Sequence, residues 1–176
     1  VRRFAVVVLA FAALAAGCKK KESLSQNLAV ENKVAVRTVT LYFEGPNMLL
    51  NAEPRNVALP ENPGGAMSLV VRELFKGSAR PGIPKIFPAD TVVRAAYLLP
   101  DGNAFVDLGG TTLTDGWGTG SHEELMAVYS VVQTVTTNFA EAKRVRLLVN
   151  GETAETLAGH ISIDRALTPA PWAVAR

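Results

Sequence analysis

The chain has 176 residues, 48% hydrophobic and 19% charged, with 18 lysines and arginines against 16 acids and a single cysteine. That length suits one domain around one core. One cysteine excludes an intrachain disulfide, and a charge this close to balance lacks the basic stripe that nucleic-acid binding requires.

The N-terminus carries the strongest local signal. Arg2 and Arg3 precede an uncharged apolar run, Phe4 to Ala16, which ends at Gly17-Cys18 and is followed by Lys19, Lys20 and Lys21. A basic start, a short apolar stretch and small residues at a cleavage point define a secretory signal. The run is shorter than the roughly 20 residues that span a bilayer. Small residues at the two positions before Cys18 resemble the lipobox of bacterial lipoproteins, although Ala15 stands where leucine is usual and Leu14 lies one step further back. On this reading residues 1–17 are a signal peptide and Cys18 becomes the acylated N-terminus, lipidated by diacylglycerol and an amide-linked palmitate-type chain. The alternative is an ordinary cleaved signal with an incidental cysteine. Each buried methylene contributes about 0.8 kcal/mol, so two or three chains hold where one holds only marginally. Acylation also removes Cys18 from thiol chemistry.

Val1 reads as a GTG start written literally, which implies a bacterial chain. Lys19 is not the aspartate associated with inner-membrane retention, so the expected location is the extracytoplasmic side of the cell envelope, on the outer membrane if the cell is Gram-negative. Loss of residues 1–17 takes away Arg2 and Arg3 and no acid, so the formal charge falls from +2 to 0. Residues 18–33 are polar after the cysteine and without aromatic residues, and read as a lipidated N-terminus with a flexible tether.

Residues 34–168 read as the folded domain and 169–176 as a tail. Val34 to Phe43 alternates as a strand with apolar residues on both faces. Glu44-Gly45-Pro46-Asn47 turns it into a second extended segment, Met48 to Leu59, which Pro54 marks as an edge or a bulge. Met67, Val70, Val71 and Leu74 predict a helix over about 65–76, stopped by Gly77. A proline-rich loop reaches Pro88. Thr91–Leu99 and Ala104–Leu108 form a hairpin across Pro100-Asp101-Gly102-Asn103. Gly109–Gly120 reads as a glycine-rich loop. Ser121-His122-Glu123-Glu124 has the form of a capping box, in which Ser121 and Glu124 exchange side-chain and backbone hydrogen bonds. Leu125, Val128, Tyr129, Val132, Val135 and Phe139 then predict a helix to about Asn138, whose Thr134, Thr136 and Thr137 require support from packing. Val145–Val149, the turn Asn150-Gly151 and a returning strand Glu152–Leu157 predict a last hairpin. The class is α+β: a largely antiparallel or mixed β-sheet with two packed helices.

These segments, in this order, resemble the GerMN domain of sporulation and germination lipoproteins. The resemblance rests on Val39-Thr40-Leu41-Tyr42-Phe43, Arg55, Glu73-Leu74-Phe75-Lys76-Gly77, Pro88-Ala89-Asp90-Thr91, Asp101-Gly102, Val106-Asp107-Leu108, Gln133-Thr134-Val135-Thr136, Val145 to Gly151, and Gly159 to Ile163 as a final glycine and short strand. It covers roughly residues 37–166. The family usually places proline after the first-helix glycine; here Ser78 follows Gly77. The resemblance implies an extracytoplasmic, non-catalytic module that contacts an envelope protein partner.

No G-x-S-x-G, Walker or zinc signature occurs, and no cofactor or metal site is expected. His122 and His160 lack ligand spacing and read as non-catalytic. The candidate binding residues are Asp107, Asp115 and Trp117. Asp107 stands where the family keeps an acid, and reads either as a functional carboxylate or as an acceptor for loop amides. In Asp115-Gly116-Trp117-Gly118 a carboxylate beside an aromatic ring suits gripping a sugar face; equally, Trp117 suits a packing plug. The expected partners are therefore the membrane through Cys18 and an envelope protein, with peptidoglycan as the alternative.

Overall fold

The computed structural model describes residues 33–176 apart from Gly116. The expected signal peptide, Cys18 and almost all of the tether lie outside the described residues.

Two long strands open the domain. β1 (Val34–Glu44) and β2 (Leu50–Pro60) form an antiparallel two-stranded sheet in unbroken register, from Val34 opposite Pro60 to Glu44 opposite Leu50. The turn closes through Gly45 N–H donating to Leu49 O at 2.9 Å. Pro54 introduces no bulge: it faces Thr40 within an edge strand, where its missing N–H removes no ladder bond. Burial on both faces of β1 is confined to Leu41, Tyr42 and Phe43; its first five residues are exposed.

α1 (Pro63–Phe75) starts two residues earlier than the apolar period predicts. Asn62 is the N-cap, its Oδ1 accepting from Gly65 N at 2.6 Å, and Pro63 sits at the first turn, where no N–H is needed. A mixed second sheet follows in the order β3 (Val92–Leu98), β4 (Asn103–Gly109), β5 (Arg144–Val149), with β3 antiparallel and β5 parallel to β4. Within the expected loop Gly109–Gly120 the chain forms a short helix, α2 (Thr111–Asp115). Asp90 stabilises its start across the loop, accepting from Thr112 N and Thr111 Oγ1, both at 2.9 Å. These bonds hold the Asp90 carboxyl down to about 2. Asp101 is likewise lowered, first by the backbone N–H of Asn103 in its turn.

α3 (Ser121–Asn138) has the expected bounds but not the expected cap. Its N-cap is Gly120, without a side-chain bond, and Glu124 turns inward instead of back to Ser121. The helix is buried around most of its circumference, with Met126, Ala127, Val128, Val131, Val132 and Val135 in the core. The last hairpin is also not formed. Asn150 (φ 53°) and Gly151 (φ 86°) make the tight turn, but only an isolated bridge, Val149 to Glu152, follows. Gly159–Ile163, expected as a short strand, is irregular too, with Ile163 buried. Leu157, Ala158 and His160 bond Glu124 instead of a strand.

The two long helices each seal a sheet edge. Asn138 of α3 donates from Nδ2 to Thr40 O (2.7 Å) and accepts at Oδ1 from Thr40 N (2.9 Å), and Thr134 Oγ1 accepts from Tyr42 N (3.2 Å). The threonines that weaken helix propensity thus complete the β1 edge. α1 does the same for β3: Arg72 donates to Val93 O (3.1 Å), and a Cβ on Gly64 would lie 2.6 Å from Ala96 O. Covered edges resist strand-to-strand aggregation.

Residues 169–176 dock on the domain. A 3-10 turn, Pro171–Ala173, buries Ala170 and Ala173 against Tyr42, Leu50 and Met126, and Ala175 N donates to Leu50 O at 2.9 Å. Trp172 remains 61% exposed, its ring edge-on to Tyr129.

Candidate functional site

Asp107 lies in β4 and is 7% exposed. Its Oδ1 accepts from Gly151 N at 2.8 Å and its Oδ2 from Arg94 Nε at 3.1 Å. Arg94 also reaches Asn150 Oδ1 at 3.3 Å. The carboxylate therefore braces the Asn150-Gly151 turn from the neighbouring strand. This arrangement exists because parallel pairing puts Asp107 opposite Leu148, two residues before the turn.

Trp117 packs on the core instead of standing free. Its ring stacks on Phe87 (centroids 5.6 Å, 22° between planes), and Phe87 contacts Phe75 of α1 at 4.4 Å. The three rings join the loop before α3 to the end of α1. Asp115 closes α2 and is exposed. Asp107 and Trp117 share no hydrogen-bond or ring partner among these contacts, so they are anchored in separate neighbourhoods.

The most deeply buried carboxylate escaped sequence reasoning. Glu124 is completely buried and accepts from Leu157 N (2.9 Å), Ala158 N (2.8 Å), His160 N (2.8 Å) and His160 Nδ1 (3.1 Å). Burying a carboxylate is costly unless donors surround it, and three backbone amides plus an imidazole do so here. The S-x-x-E pattern concealed this role because a capping Glu and an inward-facing Glu occupy the same sequence position. His122 pairs elsewhere, with Nε2 2.7 Å from Glu44 Oε1. Neither imidazole contacts Asp107 in these hydrogen-bond networks.

A second network links β2 to the end of α1. Glu53 is buried and accepts from Arg55 Nη2 (2.7 Å), Ser78 Oγ (2.5 Å) and Ala79 N (3.1 Å). Burial raises its carboxyl pKa, but hydrogen bonds from Ser78, Ala79 and Arg55 outweigh that and leave it lowered. Arg55 also donates to Glu73 O (3.0 Å) and Gly77 O (2.9 Å), satisfying carbonyls at the helix end. Ser78, where the related pattern has proline, supplies a hydroxyl to this network.

Among the described residues no group of three or more His, Cys, Asp or Glu side chains could hold a metal ion, and no helix is long and apolar enough to cross a membrane.

Two sheets edged by helices, with carboxylates bracing the loops, define an α+β domain of the GerMN type. The chain belongs to the Germane family, described as sporulation and spore germination, whose model matches residues 10–155. Its fold is similar to that of a candidate lipoprotein from Clostridium perfringens, at TM-score 0.54 and 17% identity, over 76% of this chain and 88% of the other. It is also similar to the tandem GerMN domains of the sporulation protein GerM from Bacillus subtilis, at TM-score 0.53 and 23% identity, over 75% of this chain. The aligned part spans 46% of that GerM chain, about half its length. No curated protein matches this chain.

Proposed function

We propose that this protein is a lipid-anchored component of the bacterial cell envelope whose GerMN-type domain is a non-catalytic module for protein contact. The carrying observation is the use of its buried carboxylates. Glu53, Asp107 and Glu124 each accept on both oxygens from donors of their own fold, and each holds a loop or turn in place. General acid–base chemistry needs a carboxylate or histidine with capacity left for substrate. Anchoring rests on Cys18 and its flanks, and is supported by a fold relative described as a candidate lipoprotein and another described as a sporulation protein. A glycan-binding role through Trp117 would have to use the part of its ring that Phe87 leaves open.

Two measurements test this. Metabolic labelling with an alkyne fatty acid should mark the wild-type chain and not Cys18→Ala; equal labelling overturns the anchor. Photo-crosslinking from exposed Tyr97 and Trp172 in intact cells should trap a discrete envelope protein. Catalytic turnover abolished by Asp107→Asn in a protein that remains folded would overturn the non-catalytic reading. Saturable quenching of Trp117 by peptidoglycan fragments would replace protein contact with glycan binding.

A further inference from the structure

A cavity of about 410 Å³ lies between the end of α1 and the start of β3. Three cations line it: Arg72 from α1, Lys76 at its C-cap, and Lys85 from the following loop. Phe75, Val92 and Val93 supply an apolar wall, and no carboxylate lines the cavity among the described residues. Lys76 is paired with Glu73, one turn back on the same helix. Arg72 and Lys85 therefore leave about two positive charges without an acid at the wall.

Arg72 is held in place. Its Nη2 donates to Val93 O at 3.1 Å, which fixes the guanidinium between helix and strand and leaves further N–H groups unspent. Lys85 lies across the end of α1, its Cγ 3.1 Å from where a Cβ on Gly77 would stand. The negative pole of α1 ends near this cavity and would by itself disfavour an anion. Arg55 offsets it by taking up Glu73 O and Gly77 O from the other side.

Thr91 adds an independent observation. It lines the same cavity, is 8% exposed, and its Oγ1, itself with almost no accessible surface, has no hydrogen-bond partner. A buried hydroxyl left unmatched costs stability, so it stands out in a domain whose other buried oxygens are largely matched.

We propose that Arg72, Lys76 and Lys85 form a binding site for a phosphate monoester, which the Thr91 hydroxyl meets by turning outward about its Cα–Cβ bond. Such a group carries about −1.5 to −2 charge at neutral pH, which balances the cations, and its oxygens accept from guanidinium, ammonium and hydroxyl donors alike. The cavity is larger than one phosphate, and the Phe75–Val93 wall suits the organic body attached to it. The source is either a soluble phosphoester or a lipid headgroup. The site is independent of the protein-contact role.

The test uses the full-length chain in detergent, observed through backbone amide resonances. Titration with glycerol 3-phosphate should give saturable shifts confined to residues 72–77, 85 and 91–93. Lys76→Gln with Lys85→Gln, on exposed and flexible side chains, should weaken binding about tenfold or more without changing the rest of the spectrum. Thr91→Val should leave thermal stability equal or higher, since it removes an unpaired hydroxyl, yet weaken binding several-fold. Vesicles with and without phosphatidic acid, compared between wild type and the double lysine variant, separate the sources. Both proteins carry the same N-terminus, so a difference between them reports the cavity. Shifts spread over all surface lysines, equal affinity for succinate, or unchanged affinity in the variants would overturn the proposal.

Discussion

Asn138, the last residue of α3, bonds Thr40 of β1 as a neighbouring strand would. Its carboxamide takes both the N–H (2.9 Å) and the C=O (2.7 Å) of one strand residue. It also donates to Thr134 O at 2.7 Å, so helix end and sheet edge are locked together. Asn138→Leu keeps the approximate volume and removes every polar atom. Leaving a backbone donor and acceptor unmatched costs about 1–3 kcal/mol each at most, and this half-buried site should lose about 2 kcal/mol in total. Urea unfolding checks this; a loss below about 0.5 kcal/mol would show that water replaces the amide.

Glu124 should control the loop it swallows. In Glu124→Gln one oxygen remains an acceptor while the new NH₂ faces backbone donors. The amides of Leu157, Ala158 and His160 should exchange with solvent at least about tenfold faster, which corresponds to about 1.4 kcal/mol of local opening. Exchange elsewhere in α3 should change much less. Uniform acceleration would mean that Glu124 supports the whole fold and not this loop.

Acid should weaken the domain through Glu53 and Asp90. Both carboxyls are lowered in the folded state, so their stabilisation is complete above their unfolded values and is lost as pH falls through the folded ones. For Asp90 that window runs from 3.8 down to about 2; for Glu53 it opens below 4.5. Urea midpoints measured between about pH 2 and pH 7 should fall toward the acid end. Glu53→Gln should lower the midpoint at neutral pH and flatten the slope below pH 4.5. An unaltered slope would remove Glu53 as its source.

The ring stack predicts a spectroscopic signature. Phe87→Ala removes the partner of both Phe75 and Trp117 and should cost about 3 kcal/mol. With Trp172→Phe as background, the remaining Trp117 emission should shift to the red as its ring gains water. An unshifted spectrum would place the ring against other groups.

The C-terminal residues should matter to stability. Ending the chain at Thr168 uncovers Leu50, Tyr42 and Met126 and removes the bond from Ala175 N to Leu50 O. The expected loss is about 2–4 kcal/mol. A thermal melt unchanged by the truncation would show that the docked tail is dispensable.

Local patterns in the sequence were enough for the elements with a strong period or a specific turn. The alternation of β1, the apolar spacing of α1 and α3, and the turns at Gly102 and Asn150-Gly151 are short-range physics, readable from adjacent residues. The start of α1 was readable too, in Asn62-Pro63, a capping signal that the apolar period alone passes over. The acidic position at Asp107 and the aromatic at Trp117 were visible as residues worth attention.

What those residues touch was decided only by the tertiary structure. Glu124 could cap its own helix or enter the core, and the choice depended on a loop more than thirty residues away that needed an acceptor. Glu152–Leu157 had the pattern of a returning strand, but the outer edge of β5 is taken at Val145 by Leu167, and the chain beyond the turn is drawn to Glu124. The tail reads as a short proline-broken segment, yet two alanines and a backbone bond fit the end of β2 at Leu50. Propensity and periodicity act over a few residues, whereas a buried charge or an open sheet edge must be satisfied by whatever the fold brings near it.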